Sequence, residues 1–127
     1  MRILYVCTGN SFRSPVAEAL TRKYHPDLEV ESAGTDAVDH VAENARELLA
    51  GEDAERFVKP EPDQVSERAL EEADRVVVMT ERHREYLEDE FGVEDVDVWG
   101  IEDPIKPGVK PFEEFHEVKQ KVRELDG

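Results

Sequence analysis

The sequence predicts an α/β domain: a three-layer sandwich whose four-stranded parallel sheet is flanked by helices, with residues 1–127 forming one domain. Three observations lead there. Short apolar, β-branched runs at Ile3-Leu4-Tyr5-Val6 and Val76-Val77-Val78-Met79 alternate with stretches whose apolar residues recur every three or four positions. The second of these runs has no polar interruption, as expected of a strand covered on both faces. The length of 127 residues suits one self-sufficient core, and no repeat or linker divides it.

Taken in order, Arg2 to Val6 reads as a buried strand. A helix follows from Pro15, with Val16, Leu20 and Tyr24 on one face, Pro15 at its first position and Ser14 as its N-cap. His25-Pro26-Asp27 ends it. Leu28 to Ser32 alternates as a strand with one exposed face, and Ala33 to Asp36 reads as a turn. Val41, Ala45, Leu48 and Leu49 mark a second helix closed by Gly51. Two prolines and weak periodicity make Glu52 to Gln64 a surface loop. Ser66 opens a short helix through Ala73, and Arg75 to Met79 is the central strand. Thr80 caps a helix in which Tyr86, Leu87 and Phe91 face inward, stopped by Gly92. Val96 to Trp99 is a fourth strand, followed by a loop from Gly100 to Pro111. Phe115, Val118, Val122 and Leu125 line the last helix.

Acidic residues number 32 against 16 basic ones, a formal net charge of -16. They are spread along the chain rather than collected in a tail, so an ordered domain with an acidic surface is expected. No basic cluster exists to neutralise phosphates, which argues against a nucleic-acid partner. An excess of Asp and Glu with few Lys suggests a high-salt cytoplasm, where a Debye length of about 3 Å at roughly 1 M salt screens self-repulsion. One cysteine excludes an internal disulfide framework and cysteine-rich zinc sites. No apolar run approaches the roughly 18 residues of a membrane helix, and no signal-peptide pattern opens the chain. A cytoplasmic protein without membrane attachment is expected. His25, His40, His83 and His116 make no metal-ligand spacing with one another, so they are read as ordinary structural residues and no metal is expected.

Cys7, the chain's single cysteine, ends the first strand, and Arg13 opens the region of the first helix. Between them lies Thr8-Gly9-Asn10-Ser11-Phe12. A loop entering a helix N-terminus offers backbone N–H groups and the positive end of the helix dipole to an anion. Gly9 permits close approach of the backbone, and Asn10 tolerates the left-handed conformation that such a nest contains. Arg13 can donate two parallel hydrogen bonds to a tetrahedral oxyanion. The same donors favour a thiolate at Cys7, which makes it a nucleophile candidate. In parallel sheets, ligands bind beyond the carboxyl ends of the strands, where this loop falls. The competing reading is a buried structural cysteine and an exposed arginine.

The run Cys7-x5-Arg13-Ser14-Pro15 resembles the signature of the low-molecular-weight protein tyrosine phosphatases, whose fold is shared with a class of arsenate reductases. Ala17-Glu18-Ala19, Ser32-Ala33-Gly34-Thr35, Ala73-Asp74 and Val77-Val78-Met79-Thr80 extend the resemblance, and Asp103-Pro104 falls where that family carries its general acid. The resemblance implies a metal-independent and cofactor-free phosphatase acting through a phosphocysteine. Cys7 would be the nucleophile, Arg13 the transition-state clamp and Asp103 the acid and then the base. Thr8, Gly9, Asn10, Ser11 and Phe12 would form the phosphate loop. Ser14 would bond the thiolate, and Asn10 with Ser32 would hold the loop's shape. Substrates would be phosphotyrosine proteins or small phosphomonoesters, with phosphate-like oxyanions as inhibitors.

Departures sharpen the expectation. Phe12 stands where many relatives carry a second cysteine, so that family's protective disulfide is absent, and Phe12 is expected at the pocket mouth. Ile105 and Lys106 stand where aromatic residues wall the tyrosine ring. Ser11 keeps phosphoarginine open as a substrate. Arsenate reduction would require an external thiol. The histidine that many members place before the central helix has no counterpart in Lys59 to Gln64, so support of the loop must differ there.

Overall fold

The computed structural model describes residues 1–103 and 107–125. Ten elements follow in sequence: β1 (Arg2–Cys7), α1 (Arg13–Tyr24), β2 (Glu29–Gly34), α2 (Glu43–Gly51), a 3-10 turn (Glu55–Phe57), α3 (Glu67–Glu72), β3 (Arg75–Val78), α4 (Glu81–Phe91), β4 (Asp97–Val98) and α5 (Pro111–Arg123). The four strands form one parallel sheet in the order β2-β1-β3-β4. This is the expected architecture.

Alternation along the strands builds two cores. Ile3, Tyr5 and Cys7 of β1 and Val77 of β3 face Val16 and Leu20 of α1, Leu49 of α2, and Phe115 and Val118 of α5. Leu4, Val6, Val76 and Val78 point the other way, toward Leu70 of α3 and Leu87 of α4. Helices thus cover both faces, which makes β1 and β3 unbroken apolar strands. The chain leaves β1 toward β2 on one side and later leaves β3 toward β4 on the other. The switch point lies between the ends of β1 and β3.

Several boundaries differ from expectation. Helix α1 starts at Arg13, and its N-cap is Phe12 with no side-chain cap bond. Ser14 is therefore inside the first turn, where its hydroxyl is taken by Asn10 and Cys7. Pro15 is tolerated there because the first four N–H groups of a helix lack intrahelical acceptors. Strand β2 continues through Ala33 and Gly34, and β4 spans only Asp97–Val98 on an exposed edge. Gly51 is the last residue of α2 rather than its stop. Leu125 lies just past α5 but packs on the first core. The segment 52–64 is more than a surface loop: it contains the 3-10 turn and buries Ala54 and Lys59.

Candidate active site

The five-residue connection between Cys7 and Arg13 wraps around a concave site at the switch point. Asn10 adopts a left-handed φ of 53°. The loop carbonyls are engaged from outside: Cys7 O by Thr35 N at 2.9 Å, Thr8 O by Asp36 N at 2.8 Å and Gly9 O by Val38 N at 3.1 Å. Ser11 O accepts from Ala42 N and Phe12 O from Val16 N, both at 2.9 Å. A planar trans peptide points its C=O and the next N–H in opposite directions. The N–H groups of Thr8, Gly9, Asn10, Phe12 and Arg13 therefore turn inward, as an anion nest requires.

Loop and β2 are in direct contact. A side chain at Gly34 would place its Cβ 2.4 Å from Thr8 O and 2.9 Å from Asn10 N. Only glycine lets β2 pass so close beneath the loop.

Asn10 is fully buried and its amide group makes four hydrogen bonds. Its Nδ2 donates to Ser14 Oγ at 2.7 Å and Ser32 Oγ at 3.0 Å. Its Oδ1 accepts from Lys59 Nζ at 2.7 Å and Asp63 N at 2.8 Å. Ser14 Oγ lies 2.9 Å from Cys7 Sγ. Ser14 accepts from Asn10, so its own hydrogen is directed at either the sulfur at 2.9 Å or the more distant Ala33 O at 3.5 Å. Ser32 Oγ donates to Glu18 Oε1 at 2.7 Å, and Glu18 pairs with Arg22 at 3.1 Å. This network supports the loop from behind.

Lys59 was not legible as a support residue. It is buried, donates to Ser32 O at 2.8 Å as well as to Asn10, and pairs with Asp63 at 2.8 Å. It stands in the segment where no supporting histidine is found, and its ammonium group bridges the loop to β2.

The pocket over the loop has a volume of about 380 Å³. Cys7, Thr8, Gly9, Ser11, Phe12 and Arg13 form its floor and sides, and Asp103 reaches its rim. Val38, Ala42 and Pro111 add an apolar wall. Cys7 is a free, buried thiol. The buried Arg13 guanidinium is held by Ile101 O at 3.0 Å, and its Nη2 lies 3.8 Å from Asp103 Oδ2. Ser11 Oγ donates to His40 O at 3.0 Å, fixing the rim. Asn10, Ser14 and Ser32 lie behind the loop. Among the described residues, Cys7 to Ser14, Ser32 and Asp103 thus all lie in the pocket or in the shell behind its loop. Pro104, Ile105 and Lys106 lie outside the described residues.

His83 is the second residue that pattern reading passed over. It is buried at the start of α4, with its Nε2 2.8 Å from Thr8 Oγ1 and its Nδ1 3.0 Å from Thr80 N. Burial, with Arg13 and Arg82 nearby, pushes its pKa down to about 4. Glu114 of α5 is also buried, and its Oε2 has no hydrogen-bond partner among the described residues. Burial and the neighbouring Glu117 push its pKa up to about 7, against the opposing pull of Arg13.

Among the described residues no group of His, Cys, Asp or Glu is arranged to hold a metal ion, and no helix is long and apolar enough to cross a membrane. The chemistry available is nucleophilic: a thiol over an anion nest, a clamped arginine and a carboxyl at the rim.

A family model described as low molecular weight phosphotyrosine protein phosphatase matches residues 2–126. The chain is 41% identical over 88 residues to the low molecular weight protein-tyrosine-phosphatase Wzb of Escherichia coli K12, covering 67% of this chain and 58% of that protein. It is 35% identical over 97 residues to PtpB of Staphylococcus haemolyticus, covering 72% of this chain and 66% of that one. Thus the matches span roughly three-fifths to two-thirds of those relatives. A solved YwlE arginine phosphatase, a cysteine-to-serine mutant carrying a phosphorylated active-site serine, superposes with a TM-score of 0.86. It is 26% identical, over 97% of this chain and 91% of its own.

Proposed function

Because the chain belongs to the low molecular weight phosphotyrosine protein phosphatase family, we propose that it hydrolyses phosphomonoesters through a phosphocysteine, with protein phosphotyrosine as its substrate. The observation that carries this reading is the position of Cys7 Sγ. It lies 2.9 Å from Ser14 Oγ, in a pocket that also presents Arg13 and the inward N–H groups.

In the first step the Cys7 thiolate attacks phosphorus, the bond to the leaving oxygen breaks, and Asp103 gives that oxygen its proton. The nest and Arg13 balance the equatorial charge. In the second step water attacks the phosphocysteine, Asp103 takes a proton from it, and the sulfur leaves as thiolate. The Ser14 hydroxyl donates to that sulfur and lowers the cost of its departure. Orthophosphate is released and the enzyme is restored without a metal or cofactor. The phosphorylated active-site residue of the YwlE mutant supports a covalent route on this scaffold. The apolar wall of Phe12, Val38, Ala42 and Pro111 suits the flat ring of an aryl phosphate.

Phosphoarginine is the second reading. It is favoured by the similarity to YwlE and by the Asp36 carboxylate, which lines the pocket and could pair with a guanidinium. We assign the protein to the cytoplasm and to high-salt conditions on its acidity and free thiol; stability that rises with KCl supports the salt assignment, and a flat response removes it.

Replacing Cys7 with Ser tests the central reading. Turnover of an aryl phosphate is expected to vanish, and retained turnover overturns the mechanism. Comparing phosphotyrosine with phosphoarginine peptides on the wild type then chooses between the substrates.

A further inference from the structure

We propose that His83 is a positioning residue for oxyanion binding, which holds the Thr8 hydroxyl so that its hydrogen is directed at the anion in the pocket. The proposal rests on the oxyanion-pocket reading given above and assigns a role to a histidine outside the loop.

The argument begins with the tautomer. The backbone N–H of Thr80 points at His83 Nδ1 from 3.0 Å. An amide can only donate, so Nδ1 must carry the lone pair. Neutral imidazole then bears its hydrogen on Nε2, which lies 2.8 Å from Thr8 Oγ1. His83 therefore donates to Thr8. Protonation at Nδ1 would set two N–H groups against each other, and burial disfavours the cation as well.

Thr8 Oγ1 has a second contact, from Arg13 Nη2 at 3.4 Å. Arginine is also purely a donor. Both contacts to the hydroxyl oxygen thus come from donors, and the bond left to the group is the one its own hydrogen makes. Thr8 lines the pocket beside Cys7 and Arg13. An oxyanion there is the acceptor that hydrogen faces.

Topology explains why a histidine so distant in sequence does this. Thr8 follows β1 and His83 follows β3, the two strands that flank the switch point. The Thr8–His83 hydrogen bond crosses that crevice and ties the loop to α4. Through Thr8 it also restrains the Nη2 edge of Arg13.

Inhibition by inorganic phosphate of aryl-phosphate turnover tests the proposal, using Thr8→Val, His83→Phe and the double variant. Thr8→Val and His83→Phe are each expected to weaken phosphate inhibition about tenfold or more, the worth of a hydrogen bond to a charged group. In the Thr8→Val background, His83→Phe should cost little more, because its route of action is gone. His83→Gln, whose amide places a donor near the Nε2 position, should recover most of the wild-type inhibition. Thr8→Ser, which keeps the hydroxyl, should also bind phosphate well. A merely structural role predicts additive losses and no rescue, and either result overturns the proposal. If His83→Phe does not fold, the His83→Gln and Thr8 variants decide it: normal phosphate inhibition in Thr8→Val overturns it. Wild-type protein that turns over aryl phosphate but is not inhibited by phosphate overturns the proposal alone. Wild-type protein with neither property overturns the oxyanion reading beneath it.

Discussion

The Lys59 ammonium lies 2.7 Å from Asn10 Oδ1, so a buried cation holds the one residue of the oxyanion loop that is both left-handed and fully buried. Asn10 in turn orients Ser14, and Ser14 contacts the Cys7 sulfur. The cation thus reaches the Cys7 sulfur through two side chains, and hydrogen bonds in such a chain polarise one another. Lys59→Met is expected to destabilise the fold by about 1–3 kcal/mol, the cost of leaving Asn10 Oδ1 and Ser32 O short of a donor. Aryl-phosphate kcat/KM should fall with it. Urea unfolding and steady-state kinetics on the folded variant measure the two effects. A variant with unchanged stability and rate would mean that Lys59 is a bystander.

Asp103 reaches the pocket rim with Oδ2 3.8 Å from Arg13 Nη2. If it protonates the leaving oxygen, Asp103→Asn should slow poor leaving groups by about 100-fold or more, within the usual range for general acid catalysis. Activated aryl phosphates, whose leaving group needs no proton, should suffer less in the phosphoryl-transfer step. Single-turnover rates across a leaving-group series separate the cases. An equal loss along the whole series would assign the acid to another group.

The burial of His83 makes stability depend on pH in a calculable direction. Its pKa falls from 6.5 to about 4 on folding, so the unfolded chain binds the proton more tightly. Stability is therefore full above pH 6.5 and is lost as pH falls from there toward 4. The loss is at most about 3 kcal/mol. His83→Gln removes this contribution. The difference in urea midpoint between wild type and variant should change between pH 7.5 and pH 4.5, and a constant difference would contradict the buried neutral imidazole.

Glu114 works in the opposite direction. Its pKa rises from 4.5 to about 7, so folding favours the protonated carboxyl. This contribution is present below pH 4.5 and disappears as pH rises through 7, where a buried carboxyl, one oxygen of which has no hydrogen-bond partner among the described residues, becomes charged. Glu114→Gln should match wild type in acid and exceed its stability by roughly 1–2 kcal/mol at pH 8. Denaturation at pH 4.5 and pH 8 checks it; a variant less stable at pH 8 would show that the ionised carboxylate is useful to the fold.

The Cys7–Arg13 loop could be read without coordinates because its chemistry is local. A strand end, a glycine, an asparagine able to adopt positive φ, and an arginine at the helix start lie within seven consecutive positions. The strand and helix order followed from apolar periodicity, which burial on two faces imposes directly on the sequence. Boundaries were less legible. Ser14 has the composition of an N-cap, yet the helix begins two residues earlier than expected, at Arg13, and the Ser14 hydroxyl is engaged by Asn10 and lies against the Cys7 sulfur.

What the sequence alone determined is the α/β architecture and the position of the Cys7–Arg13 loop with its single thiol, since each follows from short-range geometry and hydrophobic spacing. The tertiary structure alone decided that Lys59 and His83 belong to the site. In sequence a lysine just before two prolines looks solvated, and a lone histidine on a helix looks incidental. Burial of either requires partners supplied by other elements: Asn10, Ser32 and Asp63 for Lys59, Thr8 and Thr80 for His83. Hydrogen bonds between residues 49 and 75 positions apart leave no periodic trace, because the fold rather than the spacing brings them together.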